Sequence, residues 1–455
     1  MVAECRGMTV ETDPGRRAVA IVAVLGAMAA VVLDAGLVNA ALPTMARSLG
    51  TTAADAVRVV TAYQAALLMA LLPSGALGER YGHRAVFTAG VAVFTTASLL
   101  CALAPSLPWL VAARFLQGLG GAAVMALGVA LLRFTVATDR LGAAIGWNAT
   151  TVALCSAAGP ALGAVVLSRA GWPWLFAINL PLGLGVCLAA GALPSTARRD
   201  QAIDPVSMLL NASSFAALIG GVGLFPVAPA LGVPLIAAAG LAFALLIRRE
   251  RSKVAPMVPV DLLRRPGFRL TVIAALCGFA GQTAALVALP FHLHQLGLTV
   301  WEAGSCLSIW PMAVAATAMT LGRGSDWLPL AWLSVVGGLL LAIGLASAAL
   351  ASGEASVALL IPCLALSGVG FGLFQTANNR SLFLAAPPER SGAVGGLQGT
   401  ARLIGQTAGA VMAAGLLEAT SLDVAPGVAF GVGALLTLTS ALVSGLRAWS
   451  REAAA

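Results

Sequence analysis

Charge is what this sequence has least of. Only 10% of its 455 residues are Asp, Glu, Lys or Arg, where a soluble protein carries about 25%. Lysine is nearly missing: of 26 basic residues, Lys253 alone is a lysine. No Gly-rich phosphate loop with its lysine occurs, which argues against an ATP-driven pump. The seven cysteines (Cys5, Cys101, Cys155, Cys187, Cys277, Cys306 and Cys363) are scattered, with no CxxC pair. They read as small buried residues, so neither a disulfide framework nor a thiolate metal site is expected. His292 and His294 stand two apart, off one helix face, with no third ligand near. No nucleophile–base set is legible either. The expectation is a non-enzyme without metal or other cofactor.

Apolar sequence is what the chain has in excess. Hydrophobic residues make up 59%, and the mean hydropathy is +0.94. A span needs about 20 apolar residues, and blocks of that length recur from end to end. Six run near Ala18–Leu42, Val57–Leu77, Ala85–Ala104, Trp109–Leu132, Gly142–Leu167 and Trp174–Leu193. A pair follows near Val206–Phe225 and Gly232–Ile247. Six more lie near Leu270–Phe291, Ala303–Leu321, Leu330–Leu350, Ser356–Thr376, Ala393–Leu417 and Val428–Leu446. The fold class predicted is an all-α polytopic membrane protein with about fourteen spans.

The formal charge of +8 would suggest nucleic acid in a soluble protein. Here it marks a membrane face. With the N-terminus in the cytoplasm, only Arg47, Arg58 and Arg169 fall in outer loops, and Arg114 and Arg402 within spans. Every other basic residue falls inside, as the positive-inside rule demands. Both termini are therefore expected in the cytoplasm, in a plasma membrane. The arginine- and alanine-rich composition points to a bacterial source. Membrane lipid is an expected partner, nucleic acid is not, and a monomer is expected.

The chain also repeats. Gly75-x-x-x-Glu79 closes the second span, and Gly322-x-x-x-Asp326 closes its counterpart in the last six. Gln117-Gly118-Leu119-Gly120 is echoed by Ser367-Gly368-Val369-Gly370, and Gly159 to Gly163 by Gly405 to Gly409. Two duplicated six-helix halves are a recurrent transporter design with the substrate site between them. The expected organisation is a tail at 1–17, a first bundle at 18–195 and two extra helices at 196–250. A linker follows at 251–269, then a second bundle at 270–447 and a tail at 448–455.

Charge inside a span is costly and therefore points to function. Asp34 is the acid placed well inside a span, and Arg114 enters from the same side to a similar depth. A mid-membrane carboxylate near an arginine can bind and release a proton, and movement that alters their distance changes its proton affinity. Gln117 lies one turn beyond Arg114 and faces the same way. Arg402 is the second intramembrane cation, with Gln406 one turn on. Asn39, Gln64, Asn148, Gln282 and Gln375 are further candidates for a substrate cavity, and each could equally be a polar contact between helices.

Several of these stretches resemble a known family. Gly75-x-Leu77-x-Glu79-Arg80-x-Gly82-His83-Arg84 resembles the loop signature of the major facilitator superfamily, with glutamate for the usual aspartate. Arg114-Phe115-Leu116-Gln117-Gly118 is similar to its fourth-span motif. Cys155 to Gly163 resembles the fifth-span antiporter motif through Gly159, Pro160 and Gly163. Leu33 to Pro43 and Trp172 to Pro181 resemble the first span and the sixth-span entry of its fourteen-span drug:proton antiporters.

The resemblance implies two pseudo-symmetric bundles plus two central helices, rocking to alternate access. It implies export of small lipophilic compounds such as drugs or antibiotics in exchange for protons, with Asp34 and Arg114 in proton coupling. It also implies a conformational latch from Gly75, Glu79, Arg80, Gly82, Arg84 and Asp326, Glu79 pairing with Arg80 or Arg84. Two other readings stay open: a dedicated exporter of one endogenous antibiotic or metabolite, and a non-transporting receptor on the same fold.

Overall fold

The computed structural model describes residues 14–136, 141–195, 204–224, 228–251, 260–321, 330–352, 357–385, 391–421 and 423–452. Among them every regular element is helical, and twelve helices are long and apolar enough to cross a membrane. In the first half these are α1 (Pro14–Ser48), α2 (Ala53–Tyr81), α3 (His83–Ala102), α4 (Leu107–Thr135) and α6 (Pro173–Ala192). The central pair is α7 (Pro205–Leu224) and α8 (Pro229–Glu250). The second half contributes α9 (Pro266–Gln295), α10 (Val300–Leu321), α11 (Leu330–Ala351), α12 (Val357–Leu384) and α14 (Ala425–Glu452). The fourteen are completed by α5 (Leu141–Arg169) and α13 (Ser391–Ala419), each of 29 residues.

Several helices outrun their apolar blocks. α1 has 35 residues and α9 has 30, whereas about 20 span the hydrocarbon. Hydropathy reports only the lipid-facing part of a helix. The hydrogen-bonded ladder continues beyond it, and in α9 it starts at Pro266, where proline's fixed φ suits a first turn. Conversely α6 is broken at Ile178. Pro181 lacks an N–H, and its ring crowds the carbonyl four residues back, at Ala177.

The charged stretch between the second and third spans is hardly a loop. α2 runs through Tyr81 and α3 begins at His83, so Gly82 alone joins them. Its φ of 94° is open to glycine and strained for a side chain. The His83 ring packs 5.4 Å from that of Phe134, which pins the turn to the end of α4.

The duplication is visible in the packing. On α4, Gly118 lies against Tyr63 and Ala66 of α2, and Gly120 against Gly90 and Phe94 of α3. On α12, Gly368 lies against Trp310 and Ala313 of α10, and Gly370 against Gly337 and Leu341 of α11. Both halves use the same pair of glycines, two residues apart, to bring a central helix against two neighbours. Without water to drive association, such close backbone approach is a main source of helix–helix attraction in lipid.

The halves meet in two seams. Toward the arginine-poor end, Gly304 of α10 lies against Ala164 and Pro160 of α5. There Leu37, Val57 and Leu110 of the first half share one buried cluster with Val287, Phe291 and Ala413 of the second. Toward the arginine-rich end, Gly399 of α13 approaches Leu71 of α2. The central pair flanks this second seam. Asn211 of α7 donates to the Met69 carbonyl of α2 at 3.0 Å, and Gly223 sits near Val411 of α13.

Candidate functional site

The first half holds a polar cluster inside its apolar core. Asp34 on α1 and Gln117 on α4 are fully buried, as are Ser98 on α3 and Asn179 on α6, and Arg114 on α4 is 1% exposed. The spacing of α4 sets Arg114 and Gln117 three residues apart on one face. The glycines at 118 and 120 then carry that face against α2 and α3.

Each atom of the Asp34 carboxylate is engaged. Arg114 Nη1 donates to Oδ2 at 2.5 Å. Gln117 Nε2 and Asn179 Nδ2 donate to Oδ1 at 3.0 and 2.8 Å. Arg114 Nη1 also donates to Gln117 Oε1 at 2.6 Å, and its Nε to the Val59 carbonyl at 3.2 Å. Its guanidinium lies over the Tyr63 ring, 4.1 Å from the centroid, a cation–π contact that further offsets desolvation. Gln117 Nε2 donates to Ser98 Oγ at 2.8 Å, and Ser98 in turn donates to the Phe94 carbonyl.

Two opposite charges out of water are tolerated only when paired and saturated with hydrogen bonds, and this network meets that condition. It also gives the carboxylate a specific set of donors to lose.

The second half lacks this chemistry. The matched glycine contacts align Arg114 with Leu364, Gln117 with Ser367, and Ser98 with Leu345. Gly159 approaches Leu33 and Gly36 of α1 as Gly405 approaches Leu276 and Phe279 of α9, which aligns Asp34 with Cys277. The ionisable pair is thus a one-sided feature of a duplicated fold.

The sequence singled out Asp34, Arg114 and Gln117. The structure brings all three together and puts Gln117 on Asp34 rather than on an open cavity wall. Asn179 and Ser98 were missed. Asn179 lies within the Trp172–Pro181 stretch and is the single amide of an otherwise apolar sixth span, a signal that was readable. Ser98 carries none, since serine is common in such helices.

The other candidates lie elsewhere. Asn39, Gln64, Asn148, Gln282, Gln375, Arg402 and Gln406 are partly buried. The side-chain oxygens of Asn39, Gln64, Asn148 and Gln282 and the Nε of Arg402 are buried without a hydrogen-bond partner. At the arginine-rich end, Arg80 lies 5.7 Å from the Tyr81 ring centre. Among the described residues no ion pair joins Glu79 to Arg80 or Arg84. Those two arginines flank the single-residue turn at Gly82, which points the two helices in different directions. Gly75 has open space beside it, whereas Gly78 sits on Leu127 of α4. Asp326 lies outside the described residues. Gly159 and Gly163 of α5 pack on Gly36 and Leu37 of α1, and Pro160 lies inside the helix.

Comparison with known proteins places this geometry. The chain is 39% identical over 436 residues to the uncharacterized transporter YebQ of Escherichia coli, covering 94% of this chain and 95% of that one. It is 29% identical to the riboflavin transporter RibZ of Clostridioides difficile, over 81% of each chain. It is 30% identical to the tetracenomycin C resistance and export protein of Streptomyces glaucescens, over 90% of this chain and 78% of that one. Among solved structures, the transporter PepTSo superposes with a TM-score of 0.73 at 13% identity, over 97% and 99% of the two chains. The sequence profile of the Major Facilitator Superfamily matches residues 24–410, and this multi-pass membrane protein belongs to that family.

Proposed function

We propose that the protein is a proton-coupled antiporter that exports small lipophilic compounds by alternating access. The observation that carries this reading is the Asp34–Arg114 pair, fully buried in one half and absent from the equivalent place in the other. A purely structural polar contact has no need of an ionised pair, which costs several kcal/mol per ion to bury. A carboxylate whose counter-charge sits on a neighbouring helix has a built-in way to exchange a proton when the helices shift.

Arg114 and Asp34 also lie close to the seam that moves. Asp34 is two residues from Gly36, which packs on Gly159 of α5, and α5 in turn meets Gly304 of the second half. Rocking of α5 against α10 is therefore transmitted to α1 within one turn of the carboxylate. Export is favoured by the relative named for resistance and export and by the antiporter-like Gly159-Pro160 stretch. The arginine distribution favours a cytoplasmic position for the arginine-rich end and both termini. In that orientation Gly82 and its flanking charges form part of the inner latch.

A drug-susceptibility panel in an efflux-deficient bacterial host tests the reading. Wild type should raise tolerance to at least one compound, and Asp34→Asn should remove that gain while the protein still reaches the membrane. Equal tolerance in both would refute the coupling role of Asp34.

A further inference from the structure

Arg402 is an intramembrane cation with no counter-charge among the described residues. Arg114 is consumed by Asp34, Gln117, the Val59 carbonyl and the Tyr63 ring. Arg402, in contrast, makes no hydrogen bond or ion pair among the described residues, and its Nε is buried. An unpaired guanidinium at membrane depth is costly, and a brace between halves would have a partner.

The packing of α13 says where Arg402 points. Gly405 and Gly409 lie on α9, against Phe279 and Ala280. Gly399 and Leu403 face the first half, against Leu71 and the cluster that holds Leu67. Val411 faces α7. At about 100° per residue, Arg402 falls about 180° from Val411, between the α9 side and the α2 side. Gln406 is one turn along on the same face. That face is turned toward the junction of α9 with the first half.

Other unsatisfied amides sit on the helices packed around α13. Asn378 on α12 is one turn from Phe374, whose ring meets Gly278 of α9, and its Oδ1 is buried without a partner. Counted from the Gly405–Phe279 and Phe374–Gly278 contacts, Arg402 and Asn378 stand at nearly the same level on either side of α9. Gln64 on α2 lies seven residues from Leu71, as Gln406 lies seven from Gly399, so the two glutamines share a level about 6 Å beyond Arg402. Gln282 of α9, one turn from Gly278, is also unsatisfied. An amide can present either its oxygen or its NH2. Arg402 and these amides together offer one fixed positive charge and several adaptable polar groups.

We infer that the cargo is an organic anion, a carboxylate or an acidic phenol or enol, whose charged oxygens pair with Arg402. Its hydroxyl or N–H groups meet Asn378, Gln64 and Gln282. The inference rests on the transport reading above and narrows it, because lipophilic cations are then poor cargo. The fork of a guanidinium suits a carboxylate or a pair of adjacent oxygens. Export of a monoanion against one inward proton moves two positive charge equivalents inward per cycle, so an inside-negative potential drives it twice over.

The test is fluorescence polarisation of two xanthene dyes, anionic fluorescein and cationic rhodamine 123, with the purified full chain in detergent. Wild type should prefer fluorescein. Arg402→Gln should weaken fluorescein at least about 10-fold, the scale of a lost charge-assisted hydrogen bond, and leave rhodamine 123 unchanged. Arg402→Lys should fall between, keeping the charge without the fork. A wild-type preference for rhodamine 123, or undiminished fluorescein binding by Arg402→Gln, overturns the inference. If Arg402→Gln does not fold, the wild-type preference and Arg402→Lys decide. Asp34→Asn separates the two claims: it should keep fluorescein binding while losing proton-driven transport. Proton-driven transport retained in that variant would sink the antiport reading and leave the Arg402 result standing.

Discussion

The Arg114 guanidinium meets the Asp34 carboxylate at 2.5 Å, with neither side chain more than 1% exposed. The two are 80 residues apart in sequence. Their pairing is what makes each tolerable in an apolar bundle, and it sets the first expectation. Arg114→Gln leaves a buried carboxylate uncompensated and should cost about 3–5 kcal/mol. The double variant Asp34→Asn/Arg114→Gln should cost clearly less than the sum of its single changes. Thermal unfolding of the four proteins in detergent closes the cycle, and additivity within about 0.5 kcal/mol would mean that the pair is not coupled.

Asn179 is expected to matter through Asp34 alone. Its Nδ2 donates to Asp34 at 2.8 Å and to Ser98 Oγ at 3.5 Å, and its buried Oδ1 has no hydrogen-bond partner. Asn179→Leu removes a donor from a buried carboxylate and should destabilise the protein by about 1–3 kcal/mol. Combined with Asp34→Asn, the same change should cost less, since the demand for donors has fallen. Unfolding midpoints of the single and combined variants decide this.

Gly304 sits where a methyl group would collide with Ala164 and crowd the Pro160 carbonyl. Gly304→Leu should hold α5 and α10 apart at the arginine-poor end. Transport should fall, and the nearby buried Cys306 should react faster with a water-soluble maleimide. Unchanged labelling of Cys306 together with full transport would show that this seam does not close as described.

Much of the fold was legible because lipid imposes a coarse code. Apolar length marked out the helices, twelve of which are long and apolar enough to span, and the glycines at 118, 120, 368 and 370 announced a duplication that the packing repeats. Helix ends were not legible, since the hydrogen-bonded ladders of α1 and α12 continue past their apolar blocks. The site was half legible. Asp34 and Arg114 stood out by their cost, but sequence spacing cannot say that Gln117 turns to the carboxylate, or that α6 delivers Asn179 from 145 residues away.

Proton movement tests the central claim most directly. Everted membrane vesicles carrying the protein, acidified by respiration and monitored with a pH-sensitive acridine dye, are challenged in turn with fluorescein, tetracycline and ethidium. Wild type should release protons on addition of at least one compound. Asp34→Asn, inserted at the same level, should release none. Proton release by Asp34→Asn equal to wild type, or no release by wild type with any of the three, would contradict the account.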